Sequence, residues 1–232
     1  DGEQLLLTNA SGAVADSISF PLQTRDHSYG RLPDGSGNWR YFLVPTPEAP
    51  NIGRAFDAPL PDGVLFSPDS GTHSGTVDLS LSLNHPGPAE IRYTMDGSPP
   101  TASSVLYTGP LAVTRDTVFT AAGFIGGDPA TPAVAKSYFF GGAVALPVLS
   151  ISMAPADYAT VHNSENARGR LSEKPAYLEL FEAGFRPAAA TPCGLRPHGG
   201  AGRGGDFETK KSYKCYFRGS YGKSRLEYPI IP

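Results

Sequence analysis

Turn-forming residues interrupt this chain at short intervals: 27 glycines and 23 prolines stand among its 232 residues. Together they make about a fifth of the sequence, where average usage gives roughly 12%. Composition of that kind often marks disorder, but 40% of the residues are hydrophobic, enough to build a core. Short apolar strands separated by frequent turns satisfy both facts, so the sequence predicts a mainly β chain. At roughly 100–150 residues per domain, the length suggests two domains or three small ones.

The strands can be placed from pattern alone. Residues 4–8 are a short apolar strand, and the turn Asn9-Ala10-Ser11-Gly12 leads into the alternating run Val14–Phe20. A second pair follows at 27–31 and 39–42 around Pro33-Asp34-Gly35-Ser36-Gly37, and Pro45–Asn51 closes the segment. Residues 52–62 read as a linker. Between 63 and 140, strands are expected at 64–67, 76–83, 90–94, 105–107, 111–113, 117–122 and 133–140. Val77–Leu83 alternates cleanly, so one face is buried and one is wet. Further on, Leu146–Ser152 and Lys174–Phe181 read as strands and Ala154–Val161 as a short helix with Pro155 in its first turn.

A net charge of −3 gives no electrostatic case for nucleic-acid binding. The stretch from Arg196 to Arg225 is the exception. It holds Arg196, Arg203, Lys210, Lys211, Lys214, Arg218, Lys223 and Arg225 against Asp206 and Glu208, which suits either an anion site or a solvated strand pair. The two cysteines, Cys193 and Cys215, have no metal-ligand spacing, so no metal site is expected. They read either as a disulfide or as two buried thiols. There is no signal peptide and no run of about 18 apolar residues that would span a membrane. Both ends look cut, at Asp1-Gly2-Glu3 before an apolar strand and at Tyr228–Pro232 on apolar residues.

Three strings carry family resemblances. Asp16-Ser17-Ile18-Ser19-Phe20, the run Ser28–Trp39 (SYGRLPDGSGNW) and Pro45–Asn51 (PTPEAPN) resemble the second half of a bacterial lamin-tail domain. That resemblance implies an immunoglobulin-like β-sandwich over 1–51 whose first strands are missing, leaving partner edges exposed. Ile91–Thr101 (IRYTMDGSPPT), followed by Leu106-Tyr107-Thr108-Gly109-Pro110-Leu111, resembles the immunoglobulin-like module at the C-terminus of chitobiases and hexosaminidases, here spanning 63–142. Tyr93 and Tyr107 could stack on sugars in such a module, or belong to its core and cross-strand pairs.

The last segment, 143–232, resembles the N-terminal part of a CotH-type kinase domain. The matching strings come in the family's order: Leu146–Ser152 (LPVLSIS), Glu173–Phe181 (EKPAYLELF), Gly194–Arg203 (GLRPHGGAGR), Lys211–Arg218 (KSYKCYFR) and Tyr221–Pro229 (YGKSRLEYP). The fold expected overall is therefore tandem Ig-like β-sandwich modules followed by the β-rich start of an atypical kinase-like α+β domain. The resemblance implies ATP- and Mg²⁺-dependent phosphate transfer by the full domain, on secreted or cell-envelope proteins, from a bacterial protein that is secreted or on the cell surface. It aligns Lys211 with a near-fixed family lysine, making Lys211, Arg196, Gly200, Gly202 and Arg203 the candidate contacts to ATP phosphates. The residues themselves say less. Gly200-Ala201-Gly202-Arg203-Gly204-Gly205 satisfies G-x-G-x-x-G, cheap in a chain with 27 glycines, and no P-loop motif is present. Around Gly202 the chain departs from the family, which often has Ser before the Arg. Arg196 also suits pairing with a carboxylate, and His198 suits packing against the turn.

Phosphoryl transfer needs carboxylates to hold Mg²⁺ and to receive a proton. The resemblance places these beyond Pro232, so no catalytic residue and no bound cofactor is expected within these 232 residues. Two other functional classes remain open: a non-catalytic surface adhesion protein with a degenerate kinase-like region, and glycan-docking accessory modules of a secreted carbohydrate-active protein. All three imply an extracellular setting. There a Cys193–Cys215 bond would close a loop of about 20 residues, contributing roughly 3 kcal/mol in the chain-entropy account.

Overall fold

The computed structural model describes residues 2–21, 23, 27–60, 62–85, 87–142, 144–163, 169–199, 211–222 and 224–229. Strands dominate, as the punctuation by glycine and proline predicts, and among the described residues one α-helix is present. Among the described residues no helix is long and apolar enough to cross a membrane.

The first unit is two hairpins. β1 (Glu3–Thr8) pairs antiparallel with β2 (Val14–Phe20). The turn is built as the sequence suggests: Asn9 Oδ1 accepts from the N–H groups of Ser11 and Ala13, both at 3.0 Å, and Gly12 takes φ 82°. β3 (Ser28–Arg31) pairs with β4 (Trp39–Phe42), setting Tyr29 opposite Tyr41 and Arg31 opposite Trp39 on one face. Tyr29 stacks on Trp39 at 5.4 Å, and the Arg31 guanidinium lies 4.9 Å from the Trp39 ring centre. Arg31 also bonds Asp16 of β2 at 3.1 Å, so one ladder joins the two hairpins. The stretch read as a linker does more than span. Phe56 exchanges backbone bonds with Tyr41, and Phe56 and Leu60 are buried in a small core with Tyr41 and Ala130.

The middle unit is an Ig-like β-sandwich. Its strands are β5 (Leu65–Ser67), β6 (Gly71–Thr72), β7 (Val77–Ser82), β8 (Glu90–Thr94), β9 (Val105–Leu106), β10 (Leu111–Val113), β11 (Thr117–Ile125), β12 (Asp128–Pro129) and β13 (Val134–Phe139). One sheet has the order β10-β7-β5. The other runs β6-β13-β11-β8-β9, with β12 folded back on β11. The alternation in β7 is realised: Val77, Leu79 and Leu81 point into the core and Asp78 points out. Facing them are Ile91, Phe119, Ala121 and Tyr138. The short strands β6 and β12 have too few residues to show a period and were not legible from pattern.

The third unit is a four-stranded antiparallel sheet, β14-β15-β16-β17, with one helix. Its elements are β14 (Val148–Ser152), α1 (Pro155–Asn163), a 3-10 turn (Arg170–Ser172), β15 (Lys174–Glu182), β16 (Arg186–Pro197) and β17 (Tyr213–Tyr216). Alternation on β15 and β16 divides the sheet into two faces. Ala176, Leu178, Cys193 and Leu195 meet Val161 of α1 and form one core. The opposite face meets the middle unit, where Phe181 and Phe185 pack on Phe139, at ring distances of 5.4 and 4.4 Å. Two glycines permit this approach. A Cβ on Gly97 would stand 2.6 Å from the Met153 carbonyl oxygen, and one on Gly71 would stand 2.9 Å from that of Phe185. Both also hold positive φ.

Candidate functional site

The candidate site is the connection between β16 and β17 and the surfaces that flank it. β16 ends at Pro197, and the His198 N–H donates to the Ser212 carbonyl at 2.7 Å, closing the neck of the connection. Gly199 follows with φ 81°, a left-handed conformation that turns the chain out of the sheet. Gly200, Gly202 and Arg203, together with Asp206 and Glu208, lie outside the described residues.

Lys211 stands where the chain returns to the sheet. Its ammonium donates to the carbonyl oxygen of His162, in the last turn of α1. Carbonyls there lack intrahelical partners, and a cation also suits the negative end of the helix dipole. The tie is doubled. The His162 ring bonds the Tyr213 hydroxyl through Nδ1, and Tyr158 stacks on His162 at 4.9 Å. Lys211 therefore fastens helix to sheet on the face that carries the Val161–Leu178 core.

Arg196 lies on the other face, because it alternates with the buried Leu195. Its guanidinium sits 4.0 Å from the centre of the Tyr216 ring. Arg218 stands 4.9 Å and the Lys214 ammonium 5.5 Å from the same ring. The carboxylate partner foreseen for Arg196 is taken instead by Arg218, which bonds Glu173 through two nitrogens at 2.8 and 3.1 Å. The Glu173 side chain is only 2% exposed. Its bond to Arg218 holds the carboxyl below the usual glutamate range, against the opposing effect of burial and with help from Tyr221. Gly194 makes room: a Cβ there would fall 2.7 Å from Glu173 Cγ and 2.6 Å from the Tyr221 ring. The geometry thus places Arg196 and Lys211 on opposite faces of the sheet rather than around one phosphate.

Sequence reasoning quoted Glu173 and Arg218 at the ends of two strings but did not pair them. The signal available was the antiparallel order of those strings, which brings the start of β15 beside the end of β17 across β16. Among the described residues, no group of three or more His, Cys, Asp or Glu side chains is arranged to hold a metal ion.

Cys193 and Cys215 lie on the α1 face of adjacent strands, offset by one diagonal position. The structure holds them as two free thiols, not as the disulfide that the sequence allows. They touch: the hydrogen bond with Cys215, reinforced by burial, keeps Cys193 firmly protonated. In the middle unit, Tyr93 and Tyr107 are half-buried and pack against the sandwich core.

Compared with known families, residues 68–135 match the model of the chitobiase/beta-hexosaminidase C-terminal domain. The match falls inside the middle unit. No curated protein and no solved structure matches the chain.

Proposed function

We propose that the chain belongs to a secreted or cell-surface bacterial protein in which a lamin-tail-like unit and a chitobiase-type module precede the opening part of a CotH-type, kinase-like domain. The observation that carries this reading is the third unit's plan. A glycine-rich connection, 199–205, joins two antiparallel strands, and Lys211 stands at its far end beside a single helix that covers the sheet. A small antiparallel sheet, a glycine-rich strand connection and a nearby lysine are among the parts with which a kinase-like fold handles phosphate.

One observation favours a second reading. The Lys211 ammonium is occupied by the His162 carbonyl, and Arg196 by the Tyr216 ring. In a non-catalytic surface protein these same residues would be structural ties and nothing more.

Calorimetric titration with ATP and Mg²⁺ separates the two. In a chain extended through the rest of the kinase-like domain, that reading expects saturable binding that falls at least about tenfold in Lys211→Ala, roughly 1.4 kcal/mol, and persists in Lys214→Ala. Absence of binding at millimolar ATP favours the structural reading. No phosphate transfer to an acceptor protein is expected from these 232 residues, and measurable transfer would overturn that expectation.

A further inference from the structure

The face of the third unit that meets the middle unit is apolar at one end and polar at the other. At the apolar end Phe181 and Phe185 hold Phe139. At the polar end stands Glu179 of β15, only 3% exposed. Ser137 of β13 and Ser70, both in the middle unit, hydrogen-bond to its carboxyl. Ser137 is shared with Ser150 of β14 at 2.8 Å. The other carboxyl oxygen, Oε2, has no hydrogen-bond partner. It stands beside a cavity of about 190 Å³ lined by Ser70, Lys136, Glu179 and Ala190.

The groups around Glu179 can be accounted for. Lys136 on β13 is the nearest cation, but it is already bonded to Asp69 at 2.7 Å. Burial opposes ionisation of Asp69, yet the Lys136 bond and the Ser70 N–H hold its carboxyl below the usual range, so it stays a neighbouring anion. Tyr138 on β13 and Tyr177 on β15 are buried and pushed well above the ordinary tyrosine range, so both remain neutral. Glu179 thus has two hydroxyl partners and a cation engaged elsewhere. Burial pushes its carboxyl above the usual glutamate range, only partly offset by Ser137, Ser70 and Lys136. Glu173, in the same unit, has a dedicated arginine and moves the other way.

We propose that the β13–β15 contact is a pH-sensitive latch between the middle and third units, closed when Glu179 is protonated and slackened when it ionises. A protonated carboxyl can donate as well as accept, and leaves no charge buried in the contact. An ionised one is stabilised by water if the units part, because the cavity beside Oε2 gives water a way in. The linkage has a definite sign. The docked state binds the proton more tightly than the undocked one. Docking stability is therefore fully present below the ordinary glutamate pKa and is lost as pH rises through the docked value. Acid destabilisation through Glu173 or Asp69 runs in the opposite direction, so the two effects cannot be confused.

The experiment is limited proteolysis of the connection between the units, where Val144 and Leu146 are 41% and 71% exposed. Rates at pH 5 and pH 8 are corrected for protease activity on an unstructured peptide. In the wild-type chain the corrected rate should be several-fold higher at pH 8 than at pH 5. In Glu179→Gln, which keeps the shape without the charge, it should stay flat and low. A flat wild-type profile, or an equal rise in Glu179→Gln, would overturn the proposal. Infrared titration of the wild-type chain needs no variant: a protonated carboxyl band should persist above pH 5 and vanish as cleavage accelerates. Loss of every carboxyl band by pH 5 would refute the latch.

Discussion

The middle and third units are both largely antiparallel β structures of similar size, yet they close their cores differently. The middle unit brings two sheets of its own together, and Leu79, Ala121 and Tyr138 between them are fully buried. The third unit has one sheet. Helix α1 covers one face through Val161, while the other face is covered by a neighbour, at Phe139 and Ser137. A sheet buried on both faces but owning only one cover depends on whatever supplies the second. The first unit marks the other extreme: β1–β2 has Leu5, Leu6 and Leu7 between 52% and 62% exposed, and an isolated hairpin is marginally stable in water.

The largest expected effect lies in the self-sufficient core. Leu79→Ala leaves a cavity in a site with no exposed surface, and should cost about 2–5 kcal/mol in the unfolding of the middle unit by denaturant. The third unit should then fail with it, since it loses its second cover. A third-unit transition that survives Leu79→Ala unchanged would break the comparison. Next in size is Gly97→Ala. Its Cβ meets the Met153 carbonyl at a φ of 82°, so about 1–3 kcal/mol should be lost from docking, while the middle unit keeps its own transition. Hydrogen exchange read strand by strand distinguishes the two outcomes.

Acid sharpens the contrast within the third unit. Glu173 is held below the ordinary glutamate range, so the stability it contributes is present above that range and lost as pH falls through the lower, folded value. Glu173→Gln should lower the third-unit midpoint at neutral pH and flatten its decline below about pH 4, where glutamate ordinarily titrates. Retention of the wild-type acid profile would show that the Arg218 pair contributes nothing. Smaller still is the thiol pair. Protein denatured without reductant should show both thiols, and finding none would mean that Cys193 and Cys215 form the bond that the sequence allows. Smallest is Leu6→Ser on the exposed hairpin, expected within about ±0.5 kcal/mol.

The difference between the units also decided what the sequence could reveal. β7 alternates because its own unit supplies both a wet and a dry side, and Val77–Ser82 could be found from period alone. β16 was invisible over Arg186–Pro192, where Pro187, Pro192 and a run of alanines argue against a strand. Its register explains the tolerance: β17 pairs only with Gly194–Pro197, so both prolines sit where β16 has a free edge and needs no second donor. Glu179 was placed on an alternating strand, but its burial comes from Ser70 and Ser137, more than 40 positions earlier, and no local pattern carries that. Arg218 likewise took the carboxylate expected for Arg196, because the partner is set by strand order and not by proximity in sequence. The turns were the most legible, Asn9–Gly12 above all, since their hydrogen bonds lie within the string itself.

The most direct test is to express residues 63–142 alone and follow unfolding by two probes. Ownership of both covers predicts a single cooperative transition, coincident by far-ultraviolet circular dichroism and tyrosine fluorescence, with the exchange protection of β7 and β11 intact. A broad, probe-dependent transition, or loss of protection in those strands, would mean that the middle unit leans on its neighbours as the third one does, and the distinction between them would fall.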